Sequence, residues 1–584
     1  MFLANSLVEV TMPKQEGATG DVESVVSGKM VSTKNGRPSD NRRTFLNKLA
    51  GAAALAVTTS AIEMAPLAKP VRGQDRQSEG RERTRAAFEI RERAAKREWE
   101  VTIPDQVTNG DERRYPNFIG NYSKGLPHTA MGEVDEAAYQ QLLKASHEGT
   151  VEAFESIPLG GNVKLANPMA GIAFDLEGTD SHQLAIGPPP TVASRARADD
   201  MVELYWMALC RDVSFTEYVT DPTTVAAQFE LSGFGESVSP KTSGQVTAQT
   251  LFRGFTADDL VGPYVSQLLL RPFNYGQYTM SGQISTYIAG IDYLTDQSAW
   301  LNARNGQGPF AKNQVDPQPR FIRNGRDLAA YVHTDQAFEA FYNAGVWLGA
   351  IGAPPNPANP YLGLTKQSSF VTFGAPHFLC LLAEAASCAL KAVWYAKWFV
   401  HRTLRPEDYG GLVHMTMTHQ TKHPLHADVL DSRAAGQTFS KYGSYFHPQA
   451  YPEGCPQHPS YAQGHGAIAG ACATILKAAF NGTTAFHALS NGAIQTASQD
   501  GLSLVAYTEM DAGQITVNGE INKLASNIGL ARNFAGVHWR TDYSDGLKLG
   551  EAVALSILSD QRECYAEEFS GFQITKFDGT VITT

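Results

Sequence analysis

The sequence predicts a mainly α protein, a large helical bundle with its functional site built in the bundle core. Long stretches carry apolar residues at helical spacing, and no series of Asn-Gly or Asp-Gly turns joins alternating strands. At 584 residues and 43% apolar content, the chain is long enough to bury a large core. GxSxG, P-loop and GxGxxG signatures are absent in the right context, which excludes the common hydrolase, NTPase and dehydrogenase classes.

The amino-terminal part of the chain differs in composition from the rest. Residues 1–65 are predicted to hold a twin-arginine export signal, because Arg42 and Arg43 precede the short apolar run LAGAAALAV. A spanning helix needs about 20 apolar residues, so this run does not predict a stable membrane span. The signal predicts a periplasmic or secreted protein. The alternative is a chance Arg-Arg pair before an Ala-rich helix.

Residues 66–114 are predicted to form a charged linker or N-terminal arm ahead of the main domain, residues 115–584. Charges of both signs alternate in this arm, which indicates a solvent-exposed helix or linker. Nucleic acid is not an expected partner, because the formal net charge is -11 and no nucleic-acid motif is present. We expect the arm to pack in a homo-oligomer.

Four apolar-periodic stretches predict the main helices in order. The first covers residues 137–147, and the second is a long apolar run over 373–400. A helix of small residues follows at 467–480, and the last predicted helix covers 544–568.

The six cysteines include no CxxC pair, which argues against a zinc site. Cys380, Cys388 and Cys472 lie in predicted apolar helices and are expected in the core. Cys455 and Cys564 are the better candidates for a disulfide.

Two cations stand at the end of the long apolar run. Proline disfavours the α conformation at the residue before it, so Pro406 should end the helix and turn the Arg405 guanidinium out of its axis. Lys397 lies inside the apolar run and needs an anionic partner if it is buried. The alternative is that Lys397 and Arg405 mark a solvated helix end.

The second chemical segment is residues 458–466, HPSYAQGHG. Gly464 and Gly466 let the backbone approach a ligand closely, and free N–H groups at a helix start favour anions. His465 would stand at the mouth of that anion site as a general acid/base. The alternative is an ordinary glycine-containing turn.

The third segment, RNFAGVHWRTD, places Arg532, His538 and Asp542 at close spacing. If the chain is helical from His538 onward, Asp542 lies one turn away and can hydrogen-bond the ring. Such a carboxylate fixes the imidazole tautomer and makes the other nitrogen a better nucleophile or metal ligand. Arg532 provides a permanent charge that suits an oxyanion. The alternative is an ordinary surface group.

Together the three segments offer cations, a backbone donor and histidines, a set suited to enclosing an oxyanion such as phosphate or vanadate. They resemble the signatures of the vanadium-dependent haloperoxidase and type-2 phosphatidic acid phosphatase superfamily. These are a lysine eight residues before Arg-Pro, a Pro-Ser-x-x-Ser-Gly-His stretch, and Arg-x5-His-x3-Asp. Both order and spacing match.

The resemblance extends beyond these motifs. Residues 121–128, 132–135, 262–267 and 293–297 look like the algal and cyanobacterial bromoperoxidases. It runs from about residue 115 to about 570, far more than a phosphatase core requires. It therefore favours a haloperoxidase-like catalytic domain with the haloperoxidase helical-bundle fold.

The resemblance implies vanadate as the cofactor. His538 would be its one covalent protein ligand, with Asp542 as support. His465 would be the acid/base in the exchange with hydrogen peroxide, and Lys397 would polarise the bound peroxide. The groups implied to hydrogen-bond the vanadate oxygens are Lys397, Arg405, Arg532 and the Gly464 N–H.

His458 and Gln463 complete the predicted site. His458 lies seven residues before His465, where bromide-preferring relatives resemble this chain and chloride-oxidising ones carry Phe, so bromide is expected. Gln463 replaces the motif's serine, and Ala462 replaces its usual proline. The serine would donate a charge-assisted hydrogen bond of roughly 1.5–3 kcal/mol. The longer glutamine arm either substitutes for that bond or crowds the site.

The resemblance thus predicts oxidation of bromide, or iodide, by hydrogen peroxide to hypohalous acid, which halogenates small organic acceptors. Large homo-oligomers are expected, as in the algal relatives. One alternative is a phosphomonoesterase in which His538 is the nucleophile, Asp542 orients it and His465 protonates the leaving group. A second alternative is an inactive relative that binds an oxyanion, because Gln463 spoils the site.

Overall fold

The computed structural model describes residues 73–235 and 238–584. The twin-arginine prediction for residues 1–65 lies outside the described residues, and the domain limits at 65 and 114 stay predictions. Residues Phe88–Thr584 form one unit, to which the fold and the site described below belong.

The described residues are mainly helical, which confirms the predicted fold class. In chain order the α-helices are α1 (Gly73–Glu100), α2 (Asp111–Arg114), α3 (Glu136–Glu148), α4 (Val151–Glu155), α5 (Arg195–Leu209), α6 (Pro222–Ser232), α7 (Gln267–Leu270), α8 (Gln297–Arg304), α9 (Gly325–Tyr331), α10 (Glu339–Ala350), α11 (Ala375–Tyr395), α12 (Pro406–Met417), α13 (Ala427–Leu430), α14 (Arg433–Tyr442), α15 (Gly464–Ala479), α16 (Val517–Phe534) and α17 (Arg540–Arg562). Short 3-10 helices cover Pro168–Ile172, Ser181–Gln183, Phe215–Glu217, Phe486–Ala488 and Ala512–Gln514.

The strands of the described residues form three small antiparallel hairpins. They pair β1 (Phe273–Tyr275) with β2 (Tyr278–Met280), β3 (Gln495–Ala497) with β4 (Leu504–Ala506), and β5 (Gln573–Thr575) with β6 (Val581–Thr583). In the last hairpin Ile574 lies opposite Ile582.

Short polar side chains set where several helices begin. Asp135 accepts the Ala138 N–H at 2.8 Å at the start of α3, and Thr516 accepts the Gly519 N–H at 3.0 Å at the start of α16. Each cap satisfies one of the backbone donors that a first helical turn leaves free.

The small-residue helix α15 lies at the centre of the bundle, packed against α11, α16 and α17. Glycines permit its close approach to α17. A Cβ at Gly470 would lie 2.1 Å from Leu547 O, and one at Gly550 would lie 1.9 Å from Ala467 O. The first turns of α15 and α17 meet as well, since the Gln463 N–H donates to Asp542 O at 2.9 Å.

The long apolar run forms α11 and continues through a π-helical turn, Ala396–His401. By length and composition alone, Ala375–His401 is apolar enough to cross a membrane, but it packs against α15 and α17 in the bundle. The helix ends at His401, before the end that Pro406 was expected to impose, and Arg402 adopts a left-handed conformation (φ 38°). Arg405 is extended, as predicted for a residue before proline, and Pro406 begins α12.

The helix α1 covers the charged stretch of the predicted arm, and it is mostly exposed as expected. Its last turns contact the end of α17: Arg97 donates to Asp560 at 2.7 Å, and Arg93 donates to Glu563 at 3.3 Å.

The predictions for cysteine are corrected in part. Cys455 and Cys564 are free thiols, the first buried and the second exposed, so the suggested disulfide is wrong. Cys388 and Cys472 are buried as expected, whereas Cys380 is exposed, because it lies on the outer face of α11.

Candidate active site

His538 and Asp542 are paired at the start of α17. The helix begins at Arg540, so the expectation of a helix from His538 onward is wrong. The His538 Nδ1–H donates to Asp542 Oδ2 at 2.7 Å, and the Trp539 N–H donates to the same oxygen at 3.2 Å. Ser460 Oγ also donates to it, at 2.5 Å. The pairing fixes the imidazole tautomer and leaves the lone pair on Nε2.

Arg405 brings its guanidinium to that lone pair. Its Nη1 donates to His538 Nε2 at 2.9 Å and to Val537 O at 2.6 Å. Its Nη2 donates to His458 Nδ1 at 2.9 Å. The side chain is fully buried, and its extended backbone before Pro406 directs it across to the turn before α17.

Lys397 is the second buried cation. It lies in the π-helical turn after α11, and its Nζ donates to the carbonyl oxygens of Pro459 (2.9 Å) and Ser460. Burial lowers the pKa of Lys397 well below its ordinary value, and the charge of Arg405 lowers it further. The amine is thus held against the HPSYAQGHG segment by two carbonyl oxygens.

Arg532 is the third cation, in the last turn of α16. Its Nη1 donates to Val332 O at 2.9 Å, and its guanidinium lies 5.5 Å from the centre of the Tyr451 ring. Its Nε is buried and has no hydrogen-bond partner among the described residues. A buried donor without a partner costs free energy, so this N–H is placed to donate to a bound acceptor.

These three cations share one electrostatic environment. Burial lowers the pKa of His538 well below its ordinary value, and the charges of Arg405, Lys397 and Arg532 lower it further. Within the described part of the chain, none of the three pairs with a carboxylate. Asp542, the carboxylate whose charge acts on Lys397, is already bonded to His538.

Buried cations outside the site are commonly matched by acids. Examples are Lys124 with Glu407 at 2.8 Å and Arg540 with Glu203 at 2.6 Å. Positive charge that is buried without a negative partner is destabilising, so the three cations around His538 are arranged to bind an anion.

The start of α15 lies next to the His538–Asp542 pair, since the Gln463 N–H donates to Asp542 O at 2.9 Å. Gly464 is the first residue of this helix, where N–H groups have no partner within the helix. His465 follows, partly exposed, and its Nε2–H donates to Asp335 Oδ1 at 3.0 Å. The helix begins before Ala467, earlier than predicted, so His465 belongs to its first turn.

Proteins similar to this chain include vanadium-dependent bromoperoxidases. The chain is 34% identical to a vanadium-dependent bromoperoxidase of Ascophyllum nodosum, over 86% of this chain and 92% of that protein. It is 32% identical to a vanadium-dependent bromoperoxidase of Corallina pilulifera, over 86% of this chain and 98% of that protein. The family model of the VCPO second helical-bundle domain matches residues 377–566.

The chain belongs to the vanadium-dependent bromoperoxidase family. Among solved structures, it is similar to a homohexameric vanadate-dependent bromoperoxidase of Ascophyllum nodosum, with a TM-score of 0.81 and 30% identity. That similarity covers 92% of this chain and 95% of the other. The helical-bundle fold and the family predicted from the motifs are therefore confirmed.

Gln463 occupies the position of the serine in the bromoperoxidase motif. It is the buried N-cap residue of α15. Its Nε2 donates to Gly529 O at 3.1 Å and lies 3.5 Å from Asn533 Oδ1, both on α16. The amide donors are thus directed to α16, and the Oε1 has no partner among the described residues. A role for Gln463 in binding the bromoperoxidase cofactor stays a prediction.

His458 lies beside the cations rather than at the metal-ligand position. Its ring packs on Trp394 with centroids 4.7 Å apart, and it accepts the Arg405 Nη2–H. Burial lowers the pKa of His458 well below its ordinary value, so the ring is neutral at physiological pH. His458 and Trp394 therefore form the part of the wall next to Arg405.

The donor set fits vanadate, the cofactor of this family. A hard oxyanion needs cations and N–H donors around its oxygens, and one nitrogen at the metal. The site offers these through the three buried cations, the Gly464 N–H and His538 Nε2. No group of three or more His, Cys, Asp or Glu side chains in the described ranges is placed to hold a bare metal ion.

Sequence reasoning missed Asp335, Val332 and Trp394. Asp335 and Val332 contact the site from a loop more than a hundred residues away, where no motif marks them. Trp394 stands three residues before Lys397 in the long apolar run, where an aromatic residue is typical of a helix core and no motif marks it.

Proposed function

We propose that this protein is a vanadate-dependent peroxidase that oxidises bromide, and iodide, with hydrogen peroxide to hypohalous acid. The observation that carries the proposal is the group of three buried cations around His538, none of which pairs with a carboxylate of the described residues. Close similarity to bromoperoxidases over most of the chain favours halide oxidation above the phosphatase alternative. Small organic molecules are the proposed halogen acceptors.

His538 Nε2 would be the protein ligand to vanadium. Lys397, Arg405, Arg532 and the Gly464 N–H would surround the vanadate oxygens. When bound, vanadate supplies a Lewis-acid centre that activates hydrogen peroxide without changing its own oxidation state. A bound anion would also favour the charged form of Lys397, whose burial alone disfavours it.

Three side chains prepare the site for proton transfer and charge development. Asp542 holds the Nδ1 proton of His538, so that Nε2 stays free to act as a ligand. Asp335 accepts the Nε2 proton of His465, which leaves Nδ1 of that ring to take up or release a proton. Lys397 would place a positive charge next to the vanadate oxygens, where it would stabilise the negative charge that develops during halide oxidation.

A direct test measures halide oxidation by purified protein incubated with orthovanadate, then given hydrogen peroxide, bromide and a halogen-accepting dye. We expect bromination that requires vanadate and falls when phosphate competes for the same site. p-Nitrophenyl phosphate is the matched alternative substrate. Hydrolysis of this ester without halide oxidation would assign the protein to phosphomonoesterases. Silence in both assays would support the inactive oxyanion-binding alternative.

We also propose export through the twin-arginine pathway to the periplasm or outside the cell. Arg42 and Arg43 ahead of a short apolar run support this. The test compares the location of the wild-type protein with that of a variant carrying Lys at both positions. Retention of the variant in the cytoplasm is expected, and equal export of both would contradict the proposal.

Assembly into a homo-oligomer is the last part of the proposal. The similar Ascophyllum nodosum enzyme is homohexameric, and the exposed helix α1 offers surface for such packing. Light scattering on the purified chain is expected to give a mass several times 63.3 kDa. A monomer at all concentrations would contradict it.

A further inference from the structure

One short loop contacts two walls of the site at once. Residues 332–335 follow α9, and their contacts are with groups already placed at the anion site. Val332 O accepts the Arg532 Nη1–H at 2.9 Å, and Asp335 Oδ1 accepts the His465 Nε2–H at 3.0 Å. The loop therefore holds in place both Arg532, a cation of the site, and His465, the expected acid/base.

His333 lies between these two contacts and is held by both ring nitrogens. Its Nε2–H donates to Glu453 Oε1 at 2.6 Å, and its Nδ1 accepts the Tyr287 O–H at 2.5 Å. The ring stacks on Tyr451, with centroids 3.7 Å apart and planes 8° apart. A partly exposed loop residue with three such contacts is an anchor for the loop.

The groups that hold His333 are themselves fixed to the framework. Tyr451 Oη donates to Ala329 O at 2.7 Å, which ties it to α9. Glu453 O accepts from Lys124 Nζ at 2.8 Å, and Lys124 is paired with the buried Glu407. The anchor thus connects the loop to α9, to α12 and to the segment before α15.

Tyr451 gives this anchor a second route to the site. The Arg532 guanidinium lies 5.5 Å from the centre of the same ring on which His333 stacks. Stacking on an aromatic ring orients the planar guanidinium. Arg532 is therefore positioned twice from this side, by the Val332 carbonyl and by the ring that His333 braces.

We propose that His333 is a positioning residue for the anion site, acting through the 332–335 loop on Arg532 and on the Asp335–His465 pair. The inference rests on the proposed function and lies outside the three sequence motifs. Oriented donors must stay within a fraction of an ångström of productive geometry, so a loosened loop weakens both anion binding and proton transfer.

The first experiment measures vanadate affinity of the apoprotein by equilibrium dialysis, which needs no activity. For His333→Ala we expect affinity to fall about tenfold, within the range seen when support for metal-site groups is removed. Catalytic efficiency for hydrogen peroxide should fall by a similar factor, whereas KM for bromide should change less than about twofold. The melting temperature should stay close to that of wild type. Removal of an exposed histidine on α3, by His147→Ala, is the matched control and should change none of these quantities.

Two milder variants keep the test decisive if His333→Ala fails to fold. His333→Gln keeps one donor for Glu453 and should recover part of the affinity. Tyr287→Phe removes a single hydrogen bond to the ring and should shift the affinity in the same direction by less. Wild-type affinity and peroxide efficiency in every variant that folds would overturn the proposal. If wild type binds vanadate but oxidises no halide, the affinity series still tests His333, and only the proposed function fails.

Discussion

The Asp542 carboxylate holds the His538 imidazole across the start of α17. The two side chains meet at 2.7 Å, although His538 precedes the first helical residue. The same carboxylate oxygen accepts the Trp539 N–H at 3.2 Å and the Ser460 hydroxyl at 2.5 Å. Three donors on one oxygen fix the position of the Asp542 carboxylate. The direction in which His538 Nε2 points therefore depends on the capped first turn of α17.

Asp542→Asn should weaken vanadate binding by about tenfold or more, because the amide no longer supplies the charge that favours one tautomer and a basic Nε2. Equilibrium dialysis of the apoprotein measures the change. Asp545→Asn is the matched control: Asp545 lies one turn further along α17, where it accepts the Tyr461 hydroxyl at 2.8 Å. Equal affinity in Asp542→Asn and wild type would contradict this role of the carboxylate.

Local spacing explains why much of this site could be predicted. The His538–Asp542 pairing and the extended backbone at Arg405 follow from neighbours within a few residues. The start of α15 could not be predicted in the same way, because Gly464 has low helix propensity and only packing against α17 makes it helical. Asp335 reaches His465 across 130 residues, a distance over which sequence spacing carries no information.

His458→Phe tests the source of halide preference. His458 accepts an N–H of Arg405 and packs on Trp394, so the substitution keeps an aromatic ring and frees one guanidinium donor at the site. We expect the ratio of chloride to bromide oxidation to rise, on the order of several-fold, because the freed guanidinium N–H can donate to an anion at the site instead of to the histidine ring. Steady-state rates with each halide measure it.

The control for this substitution is His458→Gln, which keeps a polar side chain beside Arg405. Its halide ratio should stay closer to that of wild type. An unchanged ratio in His458→Phe would show that this part of the wall does not set halide preference.

Gln463→Ser should strengthen vanadate binding by about tenfold. The glutamine amide donates to Gly529 O and points toward Asn533, both on α16. A serine hydroxyl at the N-cap is shorter, so it can donate to an anion at the start of α15. Titration of the apoprotein with vanadate, followed by dialysis, gives the affinities. Gln463→Ala removes both donors and should bind vanadate as wild type does. A large loss in Gln463→Ala would instead show that the glutamine contacts the cofactor.

Asp200 makes folding stability depend on pH. Burial raises the pKa of Asp200 to about 7, although Arg197 and the Thr541 hydroxyl oppose the shift. The folded state therefore keeps a proton that the unfolded state releases near pH 4. The stabilisation that this proton contributes is fully present below about pH 4. It is lost as the pH rises to about 7, and the loss in the free energy of unfolding is at most about 4 kcal/mol.

Asp200→Asn keeps the shape of the side chain without this titration. The drop in melting temperature between pH 5 and pH 8 should therefore be smaller in the variant than in wild type. Asp428→Asn is the control. The partly exposed Asp428 carboxylate accepts a hydrogen bond at 2.8 Å from Arg195, which lies on the same helix as Asp200. Its removal should leave the pH-dependent drop nearly unchanged. Parallel melting curves for Asp200→Asn and wild type at both pH values would show that Asp200 is charged in the folded protein.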